Sequence, residues 1–154
     1  MKPVEVHRFE QRLNALFQKA STLSDDLELQ AHFARYLCVL VSGYLETAIA
    51  EVYSHYARDK GHPHLATYIN RQMNRFQNPN MTKVLNLVRD FNPIWADQIQ
   101  ALTQGEIRDS VDSVVADRHK IAHGESVGVS LAYARQYYSG AVQLVELIIK
   151  QCDS

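Results

Sequence analysis

Phe33-Ala34-Arg35-Tyr36-Leu37-Cys38-Val39-Leu40-Val41-Ser42-Gly43-Tyr44-Leu45-Glu46-Thr47-Ala48-Ile49 is the stretch on which the fold turns. Its apolar residues recur at steps of three and four, through Phe33, Leu37, Leu40, Val41, Tyr44 and Ala48, and the series continues to Val52 and Tyr56. That spacing lines one face of an α-helix, so a helix is expected from about Leu27 to Arg58. Extra apolar residues around Cys38 and Val39 predict a middle buried on more than one side. A helix of that kind belongs at the centre of a bundle.

Working outward, Val6, Phe9, Leu13, Leu16 and Phe17 form the stripe of a first helix. The Ser21-Thr22-Leu23-Ser24-Asp25-Asp26 cluster offers turn formers and N-caps before the central helix. Gly61-His62-Pro63-His64 ends that helix, because proline blocks continuation and glycine accepts the left-handed cap geometry. Shorter helices follow over Leu65 to Phe76, Thr82 to Arg89, and from Asn92-Pro93 to Leu102, separated by Asn78-Pro79-Asn80 and closed by Gln104-Gly105. Glu106 to Ile121 carries a stripe of Ile107, Val111, Val114 and Val115. Ser130 is placed to cap a final helix reaching Gln151. No period-two pattern, repeat or linker interrupts this series. The expected fold is all-α: a single domain over 1–154, built as an antiparallel bundle of four main helices with short helices between them.

The chain has 154 residues, 46% of them hydrophobic, enough to bury a core. Its 16 basic and 17 acidic residues leave a formal charge of -1. A broad basic field for coating nucleic acid is excluded, so any RNA contact must be local. Cys38 and Cys152 lack metal-site or disulfide-framework spacing; they read as a buried small hydrophobe and a tail thiol in a reducing cytosol. The N-terminus lacks the apolar stretch of a signal peptide. The apolar run from Tyr36 to Val41 is far short of the ~20 residues that cross a bilayer. A soluble cytoplasmic protein with no membrane contact and no cofactor is expected.

Phosphate-loop, dinucleotide-binding, serine-elbow and zinc-protease motifs are all absent. What stands out is Asp117-Arg118-His119-Lys120-Ile121-Ala122-His123-Gly124, which gathers cationic and imidazole groups at a helix end. Metal-independent cleavage of an RNA phosphodiester needs a base for the 2′-hydroxyl proton, an acid for the 5′-oxygen, and a cation for the charged phosphorane. Histidine titrates near neutrality and suits the proton transfers. Arginine keeps its charge and grips two phosphate oxygens. In an unbroken helix, Arg118 and His123 would diverge by roughly 140°. They meet if the helix ends between them, as Gly124 suggests, or if two copies of the motif face each other across a dimer. Basic residues at a helix C-terminus are also favoured by the helix dipole alone.

The Arg118-to-His123 stretch, ending Ala122-His123-Gly124, resembles the Arg-x4–6-His signature of HEPN-superfamily ribonucleases. The segment from Val39 to Ile49 resembles the central helix of the RiboL-PSP-type HEPN group. So do the blocks Arg75-Phe76-Gln77-Asn78-Pro79 and Phe91-Asn92-Pro93-Ile94-Trp95. The likeness spans about Leu29 to Lys150. It implies a helical bundle that dimerises, with the two motifs lining an interfacial cleft. It also implies metal-independent endoribonuclease activity on RNA, often in toxin–antitoxin or antiviral systems. Carried over, Arg118 would hold the scissile phosphate and His123 would be the general acid or base. Where the family commonly has asparagine or aspartate after the arginine, this chain has His119, which could position His123 or share in proton transfer. Glu46 matches an acidic position on the central helix and could orient Arg118 or His119. Lys120 is a candidate phosphate contact.

Other residues have plainer readings. His55, His62 and His64 lack the ligand set that zinc wants and read as solvated. Tyr53/Tyr56 and Tyr137/Tyr138, at helical spacing among apolar residues, read as packing rather than base stacking. Arg71 and Arg75 read as a solvated polar face. A competing function is a non-catalytic module that binds RNA or a toxin partner, acting as an antitoxin or scaffold; a third is a helical subunit of a larger defence complex encoded by neighbouring genes.

Overall fold

Asparagine, aspartate, serine and proline set most of the helix boundaries. A computed structural model describes residues 1–23 and 25–154 and contains seven helices: α1 (Val4–Ala20), α2 (Leu27–Lys60), α3 (Pro63–Met73), α4 (Met81–Phe91), α5 (Pro93–Leu102), α6 (Glu106–Ala122) and α7 (Leu131–Asp153). No strand occurs among the described residues. The expected N-cap before α2 is Asp26, which accepts from the Leu29 N–H at 3.0 Å; Ser24 of the same cluster lies outside the described residues. Asn80 caps α4 through Lys83, Asn92 caps α5 through Ile94 and Trp95, and Ser130 caps α7 through Tyr133. Pro63 and Pro93 sit in the first turns of α3 and α5, where a missing N–H costs nothing.

The central role expected for α2 holds: α1, α3, α6 and α7 pack around it, while α4 and α5 pack chiefly against each other. Leu37, Cys38, Val41, Tyr44, Leu45, Ile49 and Tyr53 are completely buried. Fully burying a side chain of this size contributes roughly 1.5–3 kcal/mol. One expectation needs correction. Val39 is 37% exposed and Tyr36 45%, so the upper part of α2 keeps one face in the open. Ala34, Leu37 and Cys38 beside them are nonetheless fully buried.

By length and composition, α2 contains a stretch apolar enough to cross a membrane, although its longest unbroken apolar run is short. Half of that stretch is buried inside the bundle, where its apolar side chains form the core. Cys152, read as a tail thiol, is a free but buried one, at 8% exposure near the end of α7. Burial pushes its thiol up to about 11 and that of Cys38 up to about 12.

Helices α6 and α7 meet closely at Gly140. A Cβ built there would lie 2.5 Å from the Cβ of Ser110, so only glycine fits. At the other side of α2, the buried Glu10 carboxylate is held by Lys2 Nζ at 2.6 Å and by the Tyr44 hydroxyl at 3.2 Å. Tyr138 stacks on Phe17 and donates to the Glu10 carbonyl, and Tyr53 stacks on Phe91 with centroids 4.3 Å apart. These tyrosines are packing residues, as their spacing predicts.

Candidate active site

The last turns of α6 carry Arg118, His119 and Lys120, and His123 is the capping residue that follows. The helix end is a double-hydrogen-bonded C-cap. The Glu125 N–H donates to the Lys120 carbonyl at 2.9 Å and the Gly124 N–H to the Ile121 carbonyl at 3.1 Å. Gly124 takes φ +73°, the left-handed position this motif demands. The Ala-His-Gly segment is therefore a helix stop in its own right.

Arg118 is half-buried, and its Nη1 donates to the side-chain carbonyl of Asn78 at 3.4 Å. Asn78 lies in the turn between α3 and α4 and is the one described non-glycine residue with positive φ, at 53°. Its own N–H donates to Glu46 Oε2 on α2 at 3.2 Å. Three further contacts brace the turn. Pro79 is buried, the Asn80 N–H donates to the Asn78 carbonyl at 2.8 Å, and the Met81 N–H donates to Asp112 Oδ1 on α6 at 2.8 Å.

His123 lies on another side of the helix end. It is exposed, with its ring against that of His119, centroids 4.3 Å apart and 61° between planes. Lys120 is exposed and well placed for the helix dipole. Asp117 faces inward, where its charge bears on Cys38 and on Tyr137, whose hydroxyl burial and that carboxylate push up to about 12.

A family model described as RiboL-PSP-HEPN matches residues 8–154. The chain belongs to the RiboL-PSP-HEPN family. No curated protein and no solved structure matched it. The RiboL-PSP-HEPN match takes in α2, the α3–α4 turn and all of α6, and thus every residue of the candidate site.

Within one RiboL-PSP-HEPN chain the site is only partly assembled. The structure brings His119 to His123 and links Glu46 to Arg118 through Asn78. No hydrogen bond joins Arg118 to His123. The helix ends between them, at Ala122, as Gly124 suggests, but His123 keeps a near-helical φ of -91° and only Gly124 turns left-handed. The full helical twist therefore separates the two side chains. Glu46 accepts from the Asn78 N–H and so reaches Arg118 through that residue rather than directly.

Asn78 is the residue that sequence reasoning missed, having placed it in a turn and in a family-like block without giving it a role. Its faint signal is that asparagine, after glycine, best tolerates the left-handed region. His62 is an N-cap, accepting from the His64 N–H, and His55 lies 3.5 Å from Asp59 one turn along α2. Among the described residues, no three His, Cys, Asp or Glu side chains cluster as a metal site.

Proposed function

We propose that this RiboL-PSP-HEPN protein is a metal-independent endoribonuclease that acts as a homodimer on single-stranded or looped RNA. The observation that carries the proposal is an intact Arg118/His123 pair in a family-matched frame, with the guanidinium braced and the imidazole free. The divergence of the two groups within one chain favours a cleft made by two copies, each supplying one motif. Unstacked RNA suits such a cleft because its backbone is free to align.

The chemistry balances without further reagents. One imidazole takes the 2′-hydroxyl proton as that oxygen bonds to phosphorus. The bond from phosphorus to the 5′-oxygen breaks, and a second proton donor, His123 or His119 of either copy, protonates the leaving oxygen. Arg118 stabilises the charge that builds on the phosphorane. The products carry a 2′,3′-cyclic phosphate and a 5′-hydroxyl. Lys120 is open to solvent beside the motif and suited to a flanking phosphate. By the family resemblance, the setting is toxin–antitoxin or antiviral defence in the cytoplasm, with an antitoxin or a neighbouring defence protein as partner.

The test is RNA cleavage in EDTA by the wild type, Arg118→Ala and His123→Ala. Each substitution should abolish turnover, and equal activity in all three sinks the proposal. Mixing the two inactive variants should restore on the order of a quarter of the activity, since half the re-formed dimers then hold one complete set. One observation favours a second reading, a non-catalytic module that binds RNA or a protein: capping alone accounts for Ala122-His123-Gly124. Tight RNA binding by the wild type with no turnover would select it.

A further inference from the structure

We infer that Asn78 is a positioning residue: held in the left-handed region by Glu46, it uses its side-chain carbonyl to aim the Arg118 guanidinium. The consequence for catalysis rests on the nuclease reading above; the tether itself does not.

The argument starts from the turn. A residue with φ 53° is served at no steric cost by glycine, which has no side chain to offer. Asparagine stands there, and its side chain is engaged. The guanidinium has only donors, so the amide must present its oxygen to it. That oxygen accepts from Nη1 at 3.4 Å, a long bond that sets direction more than strength. It occupies one of five N–H donors and leaves the others for phosphate oxygens.

The backbone conformation of Asn78 is itself held from outside the turn, by the Glu46 carboxylate on its N–H at 3.2 Å. Beyond it, the turn is pinned to α6 by Asp112 at the Met81 N–H, 2.8 Å. The order of control is thus α2 to turn to α6: Glu46 sets Asn78, and Asn78 sets Arg118. An arginine on the last turns of a helix, tethered only by its own flexible stem, would otherwise sample many rotamers before meeting a phosphate. Restricting it in advance lowers the entropic barrier to the transition state rather than tightening ground-state binding.

Four variants separate this from a purely conformational role. Asn78→Gly keeps the left-handed turn and removes only the side-chain acceptor. Asn78→Asp keeps an acceptor in a residue that also tolerates the turn. Glu46→Ala removes the support of the Asn78 N–H, and Glu46→Gln keeps an accepting oxygen there. The two readouts are single-turnover cleavage of a short RNA in EDTA and the Nε–Hε NMR signal of Arg118, recorded for exchange with water and side-chain mobility.

Asn78→Gly should fold with an unchanged melting temperature or a higher one. Its cleavage rate should fall on the order of tenfold with little change in RNA affinity, and its Arg118 signal should become mobile and fast-exchanging. Asn78→Asp and Glu46→Gln should hold the signal and most of the rate, and Glu46→Ala should lose both. A folded Asn78→Gly with wild-type rate and an unchanged Arg118 signal overturns the inference. If the wild type cleaves no RNA, the nuclease reading fails alone. The NMR comparison then decides the tether: a signal restricted in the wild type and freed by Asn78→Gly upholds it, and identical signals overturn it.

Discussion

Gly124 takes φ +73° with nothing within 4 Å of where a Cβ would stand, so its restriction is one of backbone conformation and not of space. Gly124→Ala should therefore destabilise the fold by about 1 kcal/mol and Gly124→Asn by less, measured by denaturant unfolding. Equal stability of the alanine variant would show that the helix end does not need the left-handed residue. The buried thiols and phenols give a second expectation. Cys38 rises from 9.0 to about 12 and Cys152 to about 11, chiefly by burial, and Tyr137 rises to about 12. Each stays protonated in the folded state at pH values where the unfolded chain has lost the proton. Stability from these groups is complete below their ordinary pKa values and is lost as pH climbs from about 9 toward 12. The urea midpoint should drop between pH 8.5 and 10.5, and Cys38→Ala should flatten part of that slope; a midpoint independent of pH across the interval contradicts the burial. At this scale the sequence was legible where chemistry is local. Ser130, Asp26 and Asn80 are capping types directly before apolar-periodic segments. Asn78 was not legible, because both of its partners come from far along the chain, 32 and 40 residues away.

Among the helices, α6 matters most, since it carries the motif and its placement depends on α7. The seam between them closes on Gly140 and Ser110. Gly140→Ala should cost about 1–3 kcal/mol by overpacking, and the penalty should shrink in a Ser110→Gly background, since the clashing atom is the serine Cβ. Additive effects of the two changes would show that the helices part easily. The serine hydroxyl is also buried without a hydrogen-bond partner, so Ser110→Ala should be neutral or stabilising by up to about 1 kcal/mol in thermal unfolding. All seven helices were legible from the 3.6-residue period and its proline and glycine breaks. Their ends were less so. Two helices read from the sequence as starting at Leu65 and Thr82 begin at Pro63 and Met81: exposed Pro63 adds nothing to an apolar stripe, whereas buried Met81 opens the period that Val84, Leu85 and Val88 continue and is a start the pattern does contain. Val39 misled for a different reason: hydrophobicity says that a residue can be buried, and only the packing of α6 and α7 says which side of α2 they cover.

At the scale of the whole molecule, a formal charge of -1 limits how many phosphates the protein can engage. Binding of a single-stranded RNA by His123→Ala should depend only gently on salt, with log K against log salt sloping about -2, the value for a few phosphates. A slope steeper than about -4 would reveal an extended cationic path and a different mode of binding. The all-helical bundle was legible because the helical period recurs along the chain. That no hydrogen bond joins Arg118 to His123 was not, since the near-helical φ of -91° at His123 is a property of the cap and not of the residue type. The seat of Met81 carries one more consequence. The α4–α5 pair packs chiefly on itself, and units of that kind open before the core does. The Met81 amide proton, lodged on the carboxylate of Asp112, is shielded from deuterium only while that pair is shut. Its exchange rate is thus an internal gauge: each opening that it counts also loosens the turn on which the guanidinium rests.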